Sequence, residues 1–118
     1  MPTNRELMDS QITEADWQKT VIDYAHMQGW IVAHFRPART EKGWRTAVSA
    51  DGKGFPDLVL VRPPRVIFSE IKGATGELSY NQIPWWQALA QCPGIEYYVW
   101  RPRDWGTVQW VLARKGTL

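Results

Sequence analysis

The clearest alternation of apolar and polar positions lies between residues 55 and 73, in FPDLVLVRPPRVIFSEIKG. Two β-rich apolar runs flank Pro63-Pro64, a pattern that predicts a β-hairpin closed by a tight turn. Whether the turn is Pro63-Pro64 or the four residues Arg62 to Arg65, the pairing sets Asp57 directly opposite Glu70. Opposed residues share a face, and Lys72, two residues beyond Glu70, shares it too. Leu58, Leu60, Ile67 and Ile71 fall on the other face and are candidates for the core.

The rest of the chain divides into helical and extended segments. Trp17, Val21, Tyr24 and Ala25 recur at helical spacing, with Thr13 as a cap and Gly29 as a stop, so a helix is expected over 14–28. GWIVAHF reads as the first strand. Residues 36–54 form a loop with room for a short irregular hairpin. Ser79 with Gln82 three residues on makes a capping box for a helix over about 80–92. Pro84 falls just past its first turn, where it is tolerated. IEYYVWR is a further strand, and Asp104 is expected to cap a last helix over 105–114.

The order predicts a mixed α/β architecture. Three strands with short links form an antiparallel meander, a strand reached through a helix adds in parallel, and helices flank the sheet. The length of 118 residues suits one domain spanning 1–118. A hydrophobic share of 44% with 22% charge is enough for an ordinary core. No run approaches a membrane span, and the N-terminus lacks the basic-then-apolar order of a signal peptide, so a cytoplasmic protein is expected. The lone cysteine, Cys92, excludes an internal disulfide and is expected to be buried and inert.

The net charge of +2 neither demands nor excludes nucleic acid, but its distribution is uneven. Arg36, Arg39, Lys42, Arg45 and Lys53 crowd one stretch against only Glu41 and Asp51. Such a stretch suits a phosphate-contacting loop and equally a solvated surface loop. Of the 8 tryptophans, Trp17, Trp30, Trp85, Trp100 and Trp110 lie in apolar runs and are expected mostly in the core. Trp44, in the basic loop, could stack on a base or pack the loop.

Like charges placed opposite one another destabilise a hairpin, and two carboxylates so close raise one pKa unless something neutralises them. A divalent cation does so directly, and Mg²⁺ favours one or two carboxylates plus water and phosphate oxygens. The alternative is structural: Asp57 caps a turn after Pro56, and Glu70 and Lys72 are surface residues at a strand end.

GFPDLVLV followed by IFSEIKG resembles the PD-(D/E)XK nuclease motif, with Pro56-Asp57 as PD and Glu70-Ile71-Lys72 as ExK. The closer resemblance is to the virus-type replication-repair nuclease (VRR-Nuc) family. It rests on Glu14, Gly29-Trp30-Ile31-Val32, Lys53-Gly54-Phe55-Pro56-Asp57 and Leu78-Ser79-Tyr80-Asn81-Gln82, in that order along nearly the whole chain. The resemblance implies a restriction-endonuclease-like core and a Mg²⁺- or Mn²⁺-dependent endonuclease acting on DNA. It implies Asp57, Glu70 and the Ile71 carbonyl as metal ligands and Lys72 as the catalytic lysine. It further implies Glu14 as an additional acid and Gln82 as a contact to water or phosphate. Glu14 is also read as a favourable charge in the first helical turn, Gln82 as the capping-box partner, and His34 either as a DNA contact or as a satisfied, partly buried histidine. Small relatives resemble Holliday-junction resolvases, so branched DNA and a homodimer are expected, with an apolar patch near Trp85, Trp86 and Trp105 as the contact. The alternative is a catalytically silent module that binds branched DNA or a protein partner.

Overall fold

A computed structural model describes Thr3 and residues 11–35, 38–40, 43–45 and 49–115. Helix α1 spans Glu14–Met27, capped by the Thr13 hydroxyl accepting from the Asp16 amide at 3.1 Å. Gly29 follows with φ +85°, a left-handed conformation that ends the helix and turns the chain into β1, Ile31–His34. A short hairpin comes next, β2 Ala38–Thr40 with β3 Gly43–Arg45. Strands β4, Leu58–Arg62, and β5, Arg65–Ile71, form the long hairpin. Helix α2, Gln82–Leu89, leads to β6, Glu96–Trp100. A 3₁₀ turn, Pro102–Asp104, precedes α3, Trp105–Ala113.

The main sheet runs β1-β4-β5-β6, antiparallel except for the parallel pair β5-β6. This is the expected meander plus crossover strand, and it is compatible with a restriction-endonuclease-like core. The hairpin register is the expected one, from Arg62 opposite Arg65 to Leu58 opposite Ser69.

Register decides the two faces. Leu58, Leu60, Ile67 and Ile71 are buried on one face with Trp30 and Trp100, against Trp17, Val21 and Ala25 of α1 and Val108, Val111 and Leu112 of α3. Two indole N–H groups tie that layer to the backbone: Trp17 donates to the Trp100 carbonyl at 3.0 Å, and Trp30 donates to Leu112 at 2.9 Å. Without those acceptors, each buried indole would carry an unmade hydrogen bond. On the opposite face Phe55 meets Phe68, Phe35 and Trp85 edge to face at centroid distances of 6.1, 5.4 and 5.0 Å, which docks α2.

Several local expectations fail for reasons of packing. α2 is shorter than 80–92 at both ends. Asp104 does not cap α3, because its carboxylate turns back to accept from the Arg101 amide at 2.8 Å and closes the 3₁₀ turn. Cys92 is exposed, with its thiol against the Ala88 carbonyl just past the end of α2. Trp110 is 57% exposed, and the Arg114 guanidinium lies 5.1 Å from its ring centre, so it belongs to the outer side of α3. Trp85 is only half-buried. Trp105 lies edge-on to Trp17 and Tyr24 and is partly buried against the core. Among the described residues no helix is long and apolar enough to cross a membrane.

Candidate active site

The β4-β5 register, carried one step past Leu58–Ser69, sets Asp57 across from Glu70 on the face away from α1. Glu70 is 0% exposed. One of its oxygens, Oε2, accepts from Gln82 Nε2 at 2.9 Å; the other, Oε1, is buried without a hydrogen-bond partner. Asp57 is held from two sides: Oδ2 accepts from the Ile71 amide at 2.8 Å, and its carbonyl accepts from the Phe35 amide at 3.0 Å. The residue after β1 thus fixes the Asp57 backbone, and the end of β5 fixes its carboxylate.

Gln82 joins the groups. Its Oε1 accepts from Lys72 Nζ at 2.8 Å and from the Ser79 amide at 2.8 Å, while its Nε2 faces Glu70. The two readings of Gln82 therefore coexist: it caps the turn into α2 and also links Lys72 to Glu70. An amide suits this place because it presents an acceptor to a cation and a donor to a carboxylate at once. Two further contacts position the segment. Lys72 donates its backbone N–H to the Trp100 carbonyl at 3.0 Å, and Arg101 grips the Gly76 carbonyl at 2.5 Å. Gly54 has φ +89°, and a Cβ built on it would lie 2.1 Å from the Asn81 carbonyl oxygen, so only glycine lets the loop before Asp57 reach α2.

Burial raises the Glu70 carboxyl to about 8, and the nearby charge of Asp57 adds to the rise; Lys72 opposes this and Glu14 adds to it. The folded state therefore holds a proton that the unfolded chain releases near pH 4.5. Stability from this group is greatest below pH 4.5 and is lost as pH rises toward 8. In chelator, the melting temperature of wild type relative to Glu70→Gln should fall steadily between about pH 5 and 8. Parallel curves would show that Glu70 ionises normally.

These groups fit a divalent cation. Two carboxylates converge, one with a buried oxygen lacking any partner, and added positive charge would remove the repulsion between them. Among the described residues no three His, Cys, Asp or Glu side chains converge on one point, so such an ion would need backbone and water oxygens as well. Ile71, whose amide already meets Asp57, is the adjacent peptide.

The other expected residues divide. Glu14 is exposed at the start of α1 yet close enough to raise Glu70, and its Oε2 would be 3.8 Å from a Cβ built on Gly73. His34 pairs with Leu58, which turns it toward the α1 face rather than the face of Glu70. Lys53 is exposed on the loop before Asp57. Arg39, Trp44 and Arg45 lie on β2 and β3, but their side chains, together with Arg36 and Lys42, lie outside the described residues.

Sequence reasoning passed over Tyr97. It pairs with Phe68 across the parallel strands and so shares the face of Glu70. Its hydroxyl is buried with no hydrogen-bond partner, and burial, followed by the charges of Glu70 and Asp57, pushes its pKa well up. The alternation in EYYVW marks Tyr97 and Val99 as one face. Only the β5-β6 register says which face that is.

A family model, the VRR-NUC domain, matches residues 10–104. The chain belongs to the VRR-NUC domain family. The match takes in Glu14, Asp57, Glu70, Lys72 and Gln82, so the groups described above all lie within the nuclease-family region. No curated protein and no solved structure matches the chain. Membership of the VRR-NUC family makes this a nuclease-family protein with DNA as the implied substrate.

Proposed function

We propose that the protein is a divalent-metal-dependent DNA endonuclease, a single nuclease domain that hydrolyses phosphodiesters in branched DNA as a homodimer. The observation that carries this reading is the buried Glu70 carboxyl facing Asp57, with Lys72 tied to it through Gln82. Asp57, Glu70 and the Ile71 carbonyl would hold Mg²⁺ or Mn²⁺. When bound there, such an ion would supply positive charge to phosphate oxygens and make a water more acidic. Lys72 holds its ammonium beside that charge and stabilises the phosphate as negative charge builds on it. Gln82 keeps Lys72 extended toward Glu70, and Glu14 adds a further acceptor at the rim.

The test is direct. Duplex, flap and four-way DNA are incubated with the protein in Mg²⁺, Mn²⁺ or chelator. Cleavage only with metal, fastest on a branched substrate, is the expected result. DNA binding without cleavage in either metal would leave a silent binding module instead. On four-way DNA, cuts should fall in pairs on opposing strands, and light scattering should give about twice the 13.6 kDa chain mass. A monomer that cuts linear duplex as fast as a junction would exclude the resolvase reading.

The basic stretch makes its own prediction. Neutralising Arg39 and Arg45 together should weaken binding to every DNA tested. The log–log dependence on salt should flatten by roughly one unit for each phosphate that is no longer neutralised. An unchanged slope would assign the stretch to the solvated surface.

A further inference from the structure

We propose that a cleft alongside α2 receives one unpaired nucleobase of the DNA whose phosphate lies at Asp57 and Glu70; this rests on the nuclease reading above and adds a specificity site to it. The cleft has a volume of about 470 Å³, with Asp51, Lys53, Tyr80, Asn81, Pro84 and Trp85 among its lining, so it carries one acid and one cation. That volume falls within the roughly 300–1,000 Å³ of small-ligand pockets, ample for a planar heterocycle.

Its two walls adjoin the site along the chain. Lys53 and Gly54 lead directly into Asp57, and Asn81 precedes Gln82, whose amide bonds Glu70. Gly54 approaches the Asn81 backbone closely, which holds the two walls side by side. On this proposal, a strand with a phosphate at Glu70 would carry its neighbouring nucleotide to this cleft.

The lining residues have unspent recognition chemistry. Tyr80 is 89% exposed, and among the described residues its ring meets no other ring and its hydroxyl makes no hydrogen bond. Asn81 makes no capping bond, and its amide has no partner among the described residues. Lys53 is exposed and forms no ion pair among them. Trp85, by contrast, is fixed: its indole N–H donates to the Asp51 carbonyl at 3.0 Å and its ring meets Phe55. The result is a rigid aromatic and apolar wall, a free aromatic ring at the rim, an amide able to donate and accept, and a cation for the backbone. Stacking accepts any base, and an amide can pair with a base edge. A base inside a duplex would first have to leave its stack, whereas a base at a flap, gap or junction is already free. The cleft would thereby select DNA with an unpaired nucleotide beside the cut.

The experiment is a double-mutant cycle in chelator, read by fluorescence anisotropy. Flap DNA is compared with the same flap made abasic, in turn, at each of about the first three unpaired nucleotides from the branch. For wild type, removing the base at one of these positions should weaken binding about tenfold. For Tyr80→Ala, binding to the intact flap should be weaker by the same factor, and removing the base should cost less than about twofold. 2-Aminopurine at that position should be quenched by wild type and much less by the variant. Equal wild-type affinity for intact and abasic flaps overturns the proposal, as does a Tyr80→Ala loss that is the same with and without the base. Cleavage of the flap in Mn²⁺ is scored separately. A protein that cuts the flap but ignores the abasic sites lacks the base site alone, whereas one that binds no DNA loses both readings.

Discussion

Glu70→Ala is expected to lower DNA cleavage by about a thousandfold or more while leaving DNA binding measurable. The carboxyl is the most deeply buried acid of the site, with one oxygen lacking any protein partner, so its loss would remove the proposed ligand and leave the basic stretch intact. A melting curve beside the assay separates lost chemistry from unfolding, since Glu70→Ala also leaves the Gln82 amide N–H without its acceptor. Lys72→Ala should lose cleavage to a similar degree yet keep Mn²⁺ binding by calorimetry, since an ammonium is not a ligand. Wild-type rates in Glu70→Ala would take this residue out of the chemistry. Mn²⁺ binding that is lost with Lys72 but survives loss of Asp57 and Glu70 would reverse the assigned roles.

Arg65→Ala should destabilise the fold by about 3 kcal/mol, measured from urea midpoints at constant slope. Arg65 is 1% exposed at the end of the hairpin far from the acids. Its guanidinium pairs bidentately with Glu96 at 2.7 Å through both Nε and Nη2. The remaining nitrogen, Nη1, donates to the Val111 and Arg114 carbonyls at 2.8 Å, and the group lies 4.9 Å from the Trp30 ring centre. Burial pushes the Glu96 carboxyl up, but hydrogen bonds from Arg65 and Tyr98 outweigh it and hold its pKa below the ordinary value. Removing Arg65 strands part of that charge and uncouples the end of α3 from the sheet. Arg114 still reaches Glu96 at 2.9 Å, which keeps the cost near the lower end for a broken buried pair. Lys19, whose pair with Asp23 lies wholly at the surface, should show no measurable shift when replaced by alanine. Equal midpoints for Arg65→Ala and wild type would mean the network adds no stability.

The local sequence was enough to determine the hairpin and what it carries. Period-two alternation around a two-proline turn admits one register, and that register puts Asp57 and Glu70 together while sending Leu58, Leu60, Ile67 and Ile71 into the core. Helix α1 was equally legible, because Thr13, a 3.6-residue apolar stripe and Gly29 agree. The family resemblance implied site roles for Glu14, Lys72 and Gln82, and the family match spans all three.

Contacts between distant segments decided the remainder. Tyr97 joined the site only because β6 lies parallel to β5 with Tyr97 beside Phe68, a pairing 29 positions apart that no local pattern encodes. Gln82 reads locally as a cap, and its second role appears only when α2 docks Trp85 on Phe55 and brings the amide to Glu70 and Lys72. Trp110 looked internal from its apolar neighbours and Cys92 was expected to be buried as a lone thiol, yet each is exposed. A local pattern reports which residues share a face. Which face meets another layer, and what waits there, is set by the packing of elements far apart in the chain.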